Sequence, residues 1–586
     1  MKAKLLLALL LVTGTLGTKA QTPVAETEVT NAQTPSAKAQ SAETDVTKTK
    51  RPNLIILISV DMLSGEIMDR YTDDSMPGGL GRLLREGVVF ENGYQEHAFT
   101  ETGPGHSTLL SGRHPSSTGI PNNAWLDITS GKTVYCVDDK NVKNIGEPSG
   151  ETGSSPRWFV GTTFGTWLRD ELPGSRVFSI SGKDRASILM AGPKTDGVYW
   201  FQEGFGFTTS TAYAKAIPDW LARFNQSFLQ SVSNKSLVWE AIGPMDGKAY
   251  PGVWRAQITD TLIVSTLPRL TQTQGFPSEA APGFLLGETQ DGSFWKRWRA
   301  TPFFDDAIFN AAEALIQNEH IGEGASTDLL CLGLSATNAT EHAYGNAGPE
   351  IQDLIRRLDR RLGVFLDKLN KDGKQVVVIL SADHGGLDFA ERLRSQGIPA
   401  RRINPEAWMK ELQSRVRTQF HLDKDLLAGG TRGVYLKKEV AEPLGDRKQI
   451  LAKVKEIISG MPEIAAVATY EELEAMPEKR FADPREASLL YRLKFSSYPG
   501  RSGDIIFAFN PLVELGGPPK YDPAQHGTPH DYDRRVPIIF WGPWKAEHRS
   551  TPASTVDIAP TLAREFNIRP EEKLDGIPLI LPPAAQ

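Results

Sequence analysis

Leu54-Ile55-Ile56-Leu57-Ile58-Ser59-Val60-Asp61 decides the fold. Seven almost wholly apolar residues, several β-branched, read as a strand buried on both faces, as in a parallel sheet packed between helices. The run ends in Asp61, which puts a carboxylate where the chain leaves the sheet.

Outward from this strand the pattern repeats. Asp328-Leu329-Leu330-Cys331-Leu332-Gly333-Leu334 is a second apolar run and leads to Asn338 and His342. After it Ile351, Leu354, Ile355, Leu358, Leu362, Phe365, Leu366 and Leu369 recur at helical spacing, with charged residues between them. A third run, Gln375-Val376-Val377-Val378-Ile379-Leu380, ends in Asp383-His384-Gly385-Gly386. Strand, helix, strand in this order predicts an α/β fold with a mostly parallel sheet, and ligands of such sheets settle beyond the carboxyl ends of the strands. Two more strands are predicted at Arg176–Ile180, before Gly182-Lys183-Asp184-Arg185, and at Val536–Trp541, after His526-Gly527-Thr528-Pro529. Two long stretches interrupt the alternation. Residues of about 124–300, rich in Trp, Gly and Pro, read as insertions capping the strand ends; those of about 390–520 read as a smaller α+β lobe.

The chain has 586 residues and a formal net charge of −6, with no basic stretch, which speaks against a nucleic-acid partner. Met1-Lys2-Ala3-Lys4 and the leucine-rich run behind it read as a signal peptide over 1–20. That run is too short to span a bilayer, so no stable membrane insertion is expected. Residues 21–50, poor in large apolar side chains, read as a disordered linker, which leaves 51–586 as the folded catalytic part. The expected location is the periplasm or the outside of the cell, and the expected state a monomer. Cys136 and Cys331 are expected to stay unpaired, because Cys331 sits in a central strand.

Chemistry gathers around Thr100-Glu101-Thr102-Gly103-Pro104-Gly105-His106-Ser107-Thr108. Hydroxyls and glycines here stand before an apolar run that can start a helix, and a helix N-terminus offers free N–H groups to an anion. Thr102 is the candidate nucleophile, though a threonine in this setting can also be a plain helix cap. Asp61, Asp383, His384, His342 and His526 are ligand types suited to Zn²⁺. Two divalent ions about 4 Å apart would activate an attacking hydroxyl and stabilise a leaving oxygen, which is phosphoryl or sulfuryl transfer chemistry.

These motifs together resemble the alkaline phosphatase superfamily, and within it the phosphate-monoesterase members of the type I phosphodiesterase/nucleotide pyrophosphatase family. The matching segments are Ser59-Val60-Asp61, Thr102-Gly103-Pro104-Gly105-His106-Ser107, Gly119-Ile120-Pro121-Asn122-Asn123-Ala124-Trp125, Gly182-Lys183-Asp184-Arg185, Ser381-Ala382-Asp383-His384-Gly385-Gly386 and His526-Gly527-Thr528-Pro529. The resemblance implies a three-layer α/β/α sandwich and an exported phosphomonoesterase acting on small phosphate monoesters. It makes Thr102 a nucleophile that becomes phosphothreonine. It implies one Zn²⁺ on Asp61, Asp383, His384 and Thr102, and a second on His342, His526 and the residue at 338. Asn123, Lys183 and Arg185 would contact the phosphoryl group. The Lys183/Arg185 pair favours monoesters, whose dianion has one more charged oxygen for an Arg fork and a Lys ammonium to neutralise.

One position departs from the pattern. The family has Asp-x-x-Gly-His where this chain has Asn338-Ala339-Thr340-Glu341-His342, so a neutral amide replaces a carboxylate ligand and Glu341 replaces a glycine. The second metal position is expected to be weakened, with Glu341 a candidate substitute ligand. Alternatives to the phosphomonoesterase are a phosphodiesterase or nucleotide pyrophosphatase, and a weakly active or inactive homologue. A sulfatase would need a Cys or Ser in place of Thr102. His106 is expected to pack at the helix start, and His530 and Asp531 to orient a metal-bound imidazole.

Overall fold

Leu54–Val60 is strand β1, at the centre of a nine-stranded sheet. The computed structural model describes residues 51–146, 152–233, 237–240, 242, 255–258, 263–265, 294–517 and 524–584. The segments read as signal peptide and linker, 1–20 and 21–50, lie outside these residues, as do parts of the 124–300 stretch.

The other strands of this sheet are β2 (Val88–Phe90), β3 (Val177–Ser181), β4 (Gly197–Gln202), β5 (Gly206–Thr208), β6 (Asp328–Leu334), β7 (Val376–Ser381), β8 (Ile538–Trp541) and β9 (Glu547–Arg549). Their spatial order is β5-β4-β3-β6-β1-β7-β8-β2-β9. The run β4-β3-β6-β1-β7 is parallel throughout, and β8 pairs antiparallel with both β7 and β2.

Every residue of β1 is buried, and alternate side chains go to opposite layers. Leu54, Ile56, Ile58 and Val60 join a core with the helix Pro349–Lys371, while Ile55 and Leu57 join a second core with the helices Phe164–Glu171, Asp184–Ala191 and Ile558–Phe566. Helices thus cover both faces, which is the mostly parallel α/β architecture expected from the apolar runs. Cys136 and Cys331 are buried and unpaired. Among the described residues no helix is long and apolar enough to cross a membrane.

A separate four-stranded antiparallel sheet is formed by Leu427–Gly430, Gly433–Leu436, Ile464–Thr469 and Ile505–Phe509. It has its own core with the helices Pro405–Phe420 and Arg447–Ser459.

The antiparallel direction of β8 differs from the rest of the central strands and has a use. Parallel strands deliver their exit loops to the carboxyl rim, whereas an antiparallel neighbour delivers its entry loop there. The segment 524–534 ahead of β8 therefore reaches the same rim as Asp61 and Asp383.

Because β1 and β7 lie side by side in the middle of the sheet, truncation there leaves a cavity that neighbours cannot fill. Ile379→Ala is expected to cost about 2–5 kcal/mol, read as a lower urea midpoint with an unchanged m-value.

Candidate active site

The centre is built on the ends of β1, β3, β6 and β7. Asp61 follows β1 and its N–H donates to Leu334 O, 2.9 Å away, so the ladder continues to the ligand. The chain then turns at Met62 with φ of +69°, a left-handed conformation unusual for a long side chain. Met62 N–H donates to Asp383 Oδ1 at 3.1 Å, which ties the loop after β1 to the loop after β7.

Thr102 is the first residue of the helix Thr102–Leu109, with Glu101 extended before it. All residues of this helix are buried. Gly105 permits the close fit: a Cβ there would meet the Asp383 carbonyl oxygen at 2.1 Å. Two cations converge on the Thr102 hydroxyl. Lys183 Nζ donates to Thr102 Oγ1 at 3.3 Å and Arg185 Nη2 at 3.2 Å, both from the turn after β3 that opens the helix Asp184–Ala191.

Asp61, Asp383 and His384 are buried with ligand atoms mutually within 4.8 Å, the single such group among the described residues. Lys183 Nζ lies 2.6 Å from Asp61 Oδ2. Burial pulls the Lys183 ammonium below the usual lysine range although Asp61 opposes it. Burial pushes the Asp383 carboxyl up, but the imidazoles of His384 and His106 win and hold it well below the usual carboxylate range.

His526 stacks on His384 with ring centroids 3.8 Å apart, and His342 stands 5.2 Å from His526. Each of the three rings has Nδ1 on a backbone carbonyl: His384 on Gly385 at 2.8 Å, His342 on Ala524 at 2.7 Å, His526 on Thr100 at 2.8 Å. This fixes the tautomer with the proton on Nδ1 and turns the Nε2 lone pair toward the centre. Burial, with the neighbouring histidines, drives His526 well below the ordinary imidazole value, so it is neutral. Asp61 Oδ1, Asp383 Oδ2 and His384 Nε2 are buried without a hydrogen-bond partner. Carboxylates and neutral imidazoles in this state fit a divalent ion.

Asn338 and His342 share a face of the helix Ala336–Tyr344. Asn338 Oδ1 accepts from Lys183 Nζ at 2.8 Å, and its Nδ2 donates to Met62 Sδ at 3.3 Å. Glu341 does not join the ligand group as a substitute. It is turned about 100° around the helix from His342, against Gly386, with both oxygens buried and unpartnered. Burial pushes its carboxyl well above the usual range.

Asn123 is held beside Thr102: its Oδ1 accepts from Gly103 N–H at 2.7 Å and its N–H donates to Glu101 Oε2 at 2.6 Å. The other Glu101 oxygen pairs with Arg432 at 2.5 Å, and Arg432 also donates to Gly527 O at 2.6 Å, beside His526.

The imidazole-orienting role expected of His530 and Asp531 falls elsewhere. His530 Nε2 sits 2.9 Å from Phe509 O and Asp531 pairs with Arg534, so the rings of His342, His384 and His526 rest on backbone carbonyls instead. His106 packs at the helix start as expected, and its Nδ1 also lies 3.1 Å from Asp383 Oδ2. Tyr135, Glu101 and Arg432 carry no sequence motif, yet they position the site. Tyr135 O–H donates to Asp184 at 2.6 Å and accepts from Arg185 at 3.0 Å, fixing the guanidinium over Thr102. Arg501, in a segment whose role the sequence leaves open, lies over the Trp125, Trp158 and Tyr498 rings and donates to Gly119 O and Trp158 O. It pins the loop that carries Asn123 to the four-stranded lobe.

With this geometry in place, the comparisons are direct. A family model for type I phosphodiesterase/nucleotide pyrophosphatase matches residues 55–533. The alkaline phosphatase PhoK of a Sphingomonas species is 34% identical over 538 residues, covering 90% of each chain. The alkaline phosphatase PafA of Elizabethkingia meningoseptica is 29% identical, covering 89% of this chain and 92% of its own. A crystal structure of wild-type alkaline phosphatase PafA matches with a TM-score of 0.75 at 27% identity, over 91% of this chain and 99% of that one. The chain belongs to the type I phosphodiesterase/nucleotide pyrophosphatase family. Within it, fold and relatives are those of an alkaline phosphatase, and the protein is a phosphoric monoester hydrolase.

The helix bearing Asn338 and His342 is itself anchored by a buried acid. Asp305 Oδ1 accepts the N–H groups of Ser335 and Ala336, each at 2.9 Å. Burial pushes the Asp305 carboxyl up to about 7, well above its value in an unfolded chain. A raised folded value means a stability contribution complete below about pH 4 and lost as pH climbs towards 7. Asp305→Asn keeps the acceptor without the titration. Urea midpoints of this variant are expected to fall less than those of the native protein between these two pH values.

Proposed function

We propose that the chain is an exported, metal-dependent phosphomonoesterase, periplasmic or secreted and monomeric, that cleaves small phosphate monoesters through a phosphothreonine at Thr102. The observation that carries this reading is the convergence of Lys183 and Arg185 on the hydroxyl of a threonine at a buried helix N-terminus. Asp61, Asp383, His384 and Thr102 are the residues that would hold Zn²⁺. When bound, the ion lowers the pKa of a coordinated hydroxyl and offsets negative charge on the phosphoryl group.

The chain's own groups account for the rest. Arg185 offers a fork to two phosphoryl oxygens and Lys183 a point charge to a third, with Asn123 beside them. The Thr102 hydroxyl gives up its proton to solvent and its Oγ attacks phosphorus; the new P–O bond forms as the bond to the alcohol breaks, and the alkoxide takes a proton from solvent. Water then attacks the phosphothreonine, releasing inorganic phosphate and restoring the threonine hydroxyl. The second negative charge of a monoester is what the Lys183/Arg185 pair is suited to meet, and a diester lacks it. A PafA variant whose crystal structure matches this fold is altered at a Thr, an Asn, a Lys and an Arg, in the order of Thr102, Asn123, Lys183 and Arg185.

The test compares an aryl phosphate with a bis-aryl phosphate. The monoester is expected to turn over faster, Thr102→Ala to abolish turnover of both, and Arg185→Ala to lower kcat/KM for the monoester by about 10²–10³ with a much smaller effect on the diester. Faster diester hydrolysis, or full activity of Thr102→Ala, would overturn the proposal.

A further inference from the structure

We infer that this chain holds one divalent ion rather than two, and that the ammonium of Lys183 stands as a built-in second cation beside Asn338. The inference rests on the proposed phosphoryl-transfer site and concerns its metal content.

Both anionic ligands of the centre, Asp61 and Asp383, sit in the group with His384. The remaining donors, Asn338, His342 and His526, are an amide and two imidazoles, none of which brings a negative charge to an ion. Imidazole and amide donors bring no charge to offset that of the ion, and Zn²⁺ is retained by carboxylate, thiolate and imidazole ligands far better than by an amide. The amide is also occupied. Its oxygen accepts from Lys183 Nζ at 2.8 Å and its nitrogen donates to Met62 Sδ at 3.3 Å, so both ends of Asn338 are matched to their neighbours. An ion on that oxygen would stand next to an ammonium, and like charges in a buried site repel strongly. Glu341 does not repair the deficit, because its carboxyl packs at Gly386 and forms no ligand-distance group with His342 and His526 among the described residues.

Lys183 is placed to do the electrostatic part of the missing ion's work. Its ammonium touches Asp61, Asn338 and Thr102 at once, 2.6, 2.8 and 3.3 Å away. It thus links the anionic ligand group, the amide and the nucleophile.

The test is elemental analysis of the purified full-length protein after equilibration with excess Zn²⁺ and removal of free ion. One zinc per chain is expected for the native protein, one for His342→Ala, none for Asp383→Asn, and two for Asn338→Asp. Two zinc ions in the native protein, or a content unchanged in Asn338→Asp, would overturn the inference. The native count and the His342→Ala count decide the matter even if Asn338→Asp fails to fold. A protein that binds two ions and hydrolyses monoesters sinks only this inference; one that binds a single ion and turns over no phosphate ester sinks the functional proposal instead.

Discussion

Two carboxylates buried at the end of a sheet, Asp61 and Asp383, need positive charge close by, because an ionised group out of water is costly unless paired. Most of the site answers that requirement. Lys183 is drawn to Asp61, the His106 imidazole stands against Asp383, and the lone pairs that remain, His384 Nε2 among them, gather around a space suited to a cation. The sheet supplies the geometry, since β1 and β7 are parallel neighbours with paired register from Leu54 and Val376 onward, so their exit loops leave side by side. The ammonium held by Asp61 also donates to Thr102, so the buried charge and the Thr102 hydroxyl share a partner.

The central strands are legible in the sequence because a strand buried on both faces has no alternative to being apolar. β1, β6 and β7 announce themselves in this way, and the residues that end them are the site residues. Thr102, Asn123, Lys183, Arg185 and the histidines stand out through motif spacing, and all of them gather at the rim. What orients them was not legible, and the reason is physical. Proximity in sequence suggested His530 and Asp531 as partners for His526, but a backbone carbonyl two residues before the nucleophile does that work, and carbonyls have no sequence signature. Tyr135, Glu101 and Arg432 act through contacts made only after distant segments fold together. The direction of β8 was equally hidden, since an apolar run reads the same whether the strand ascends or descends.

The four-stranded lobe is more than an appendage to the sandwich. Arg432 reaches from it to Glu101, whose carboxylate also accepts from the Asn123 N–H, and Arg501 reaches to Gly119, four residues before Asn123. The nucleophile's surroundings are therefore braced from two cores, one of them far from the sheet in sequence. A single substitution in the lobe can change how the phosphoryl group is held without touching any group that contacts it.

The anchoring of the three imidazoles on Gly385, Ala524 and Thr100 has a consequence for how the protein would acquire the proposed metal. These carbonyls belong to loops that meet only in the finished fold, so the unfolded polypeptide carries ligands but no chelate. Capture has to follow folding, and the ion acquired is drawn from whatever the surrounding solution offers where folding ends.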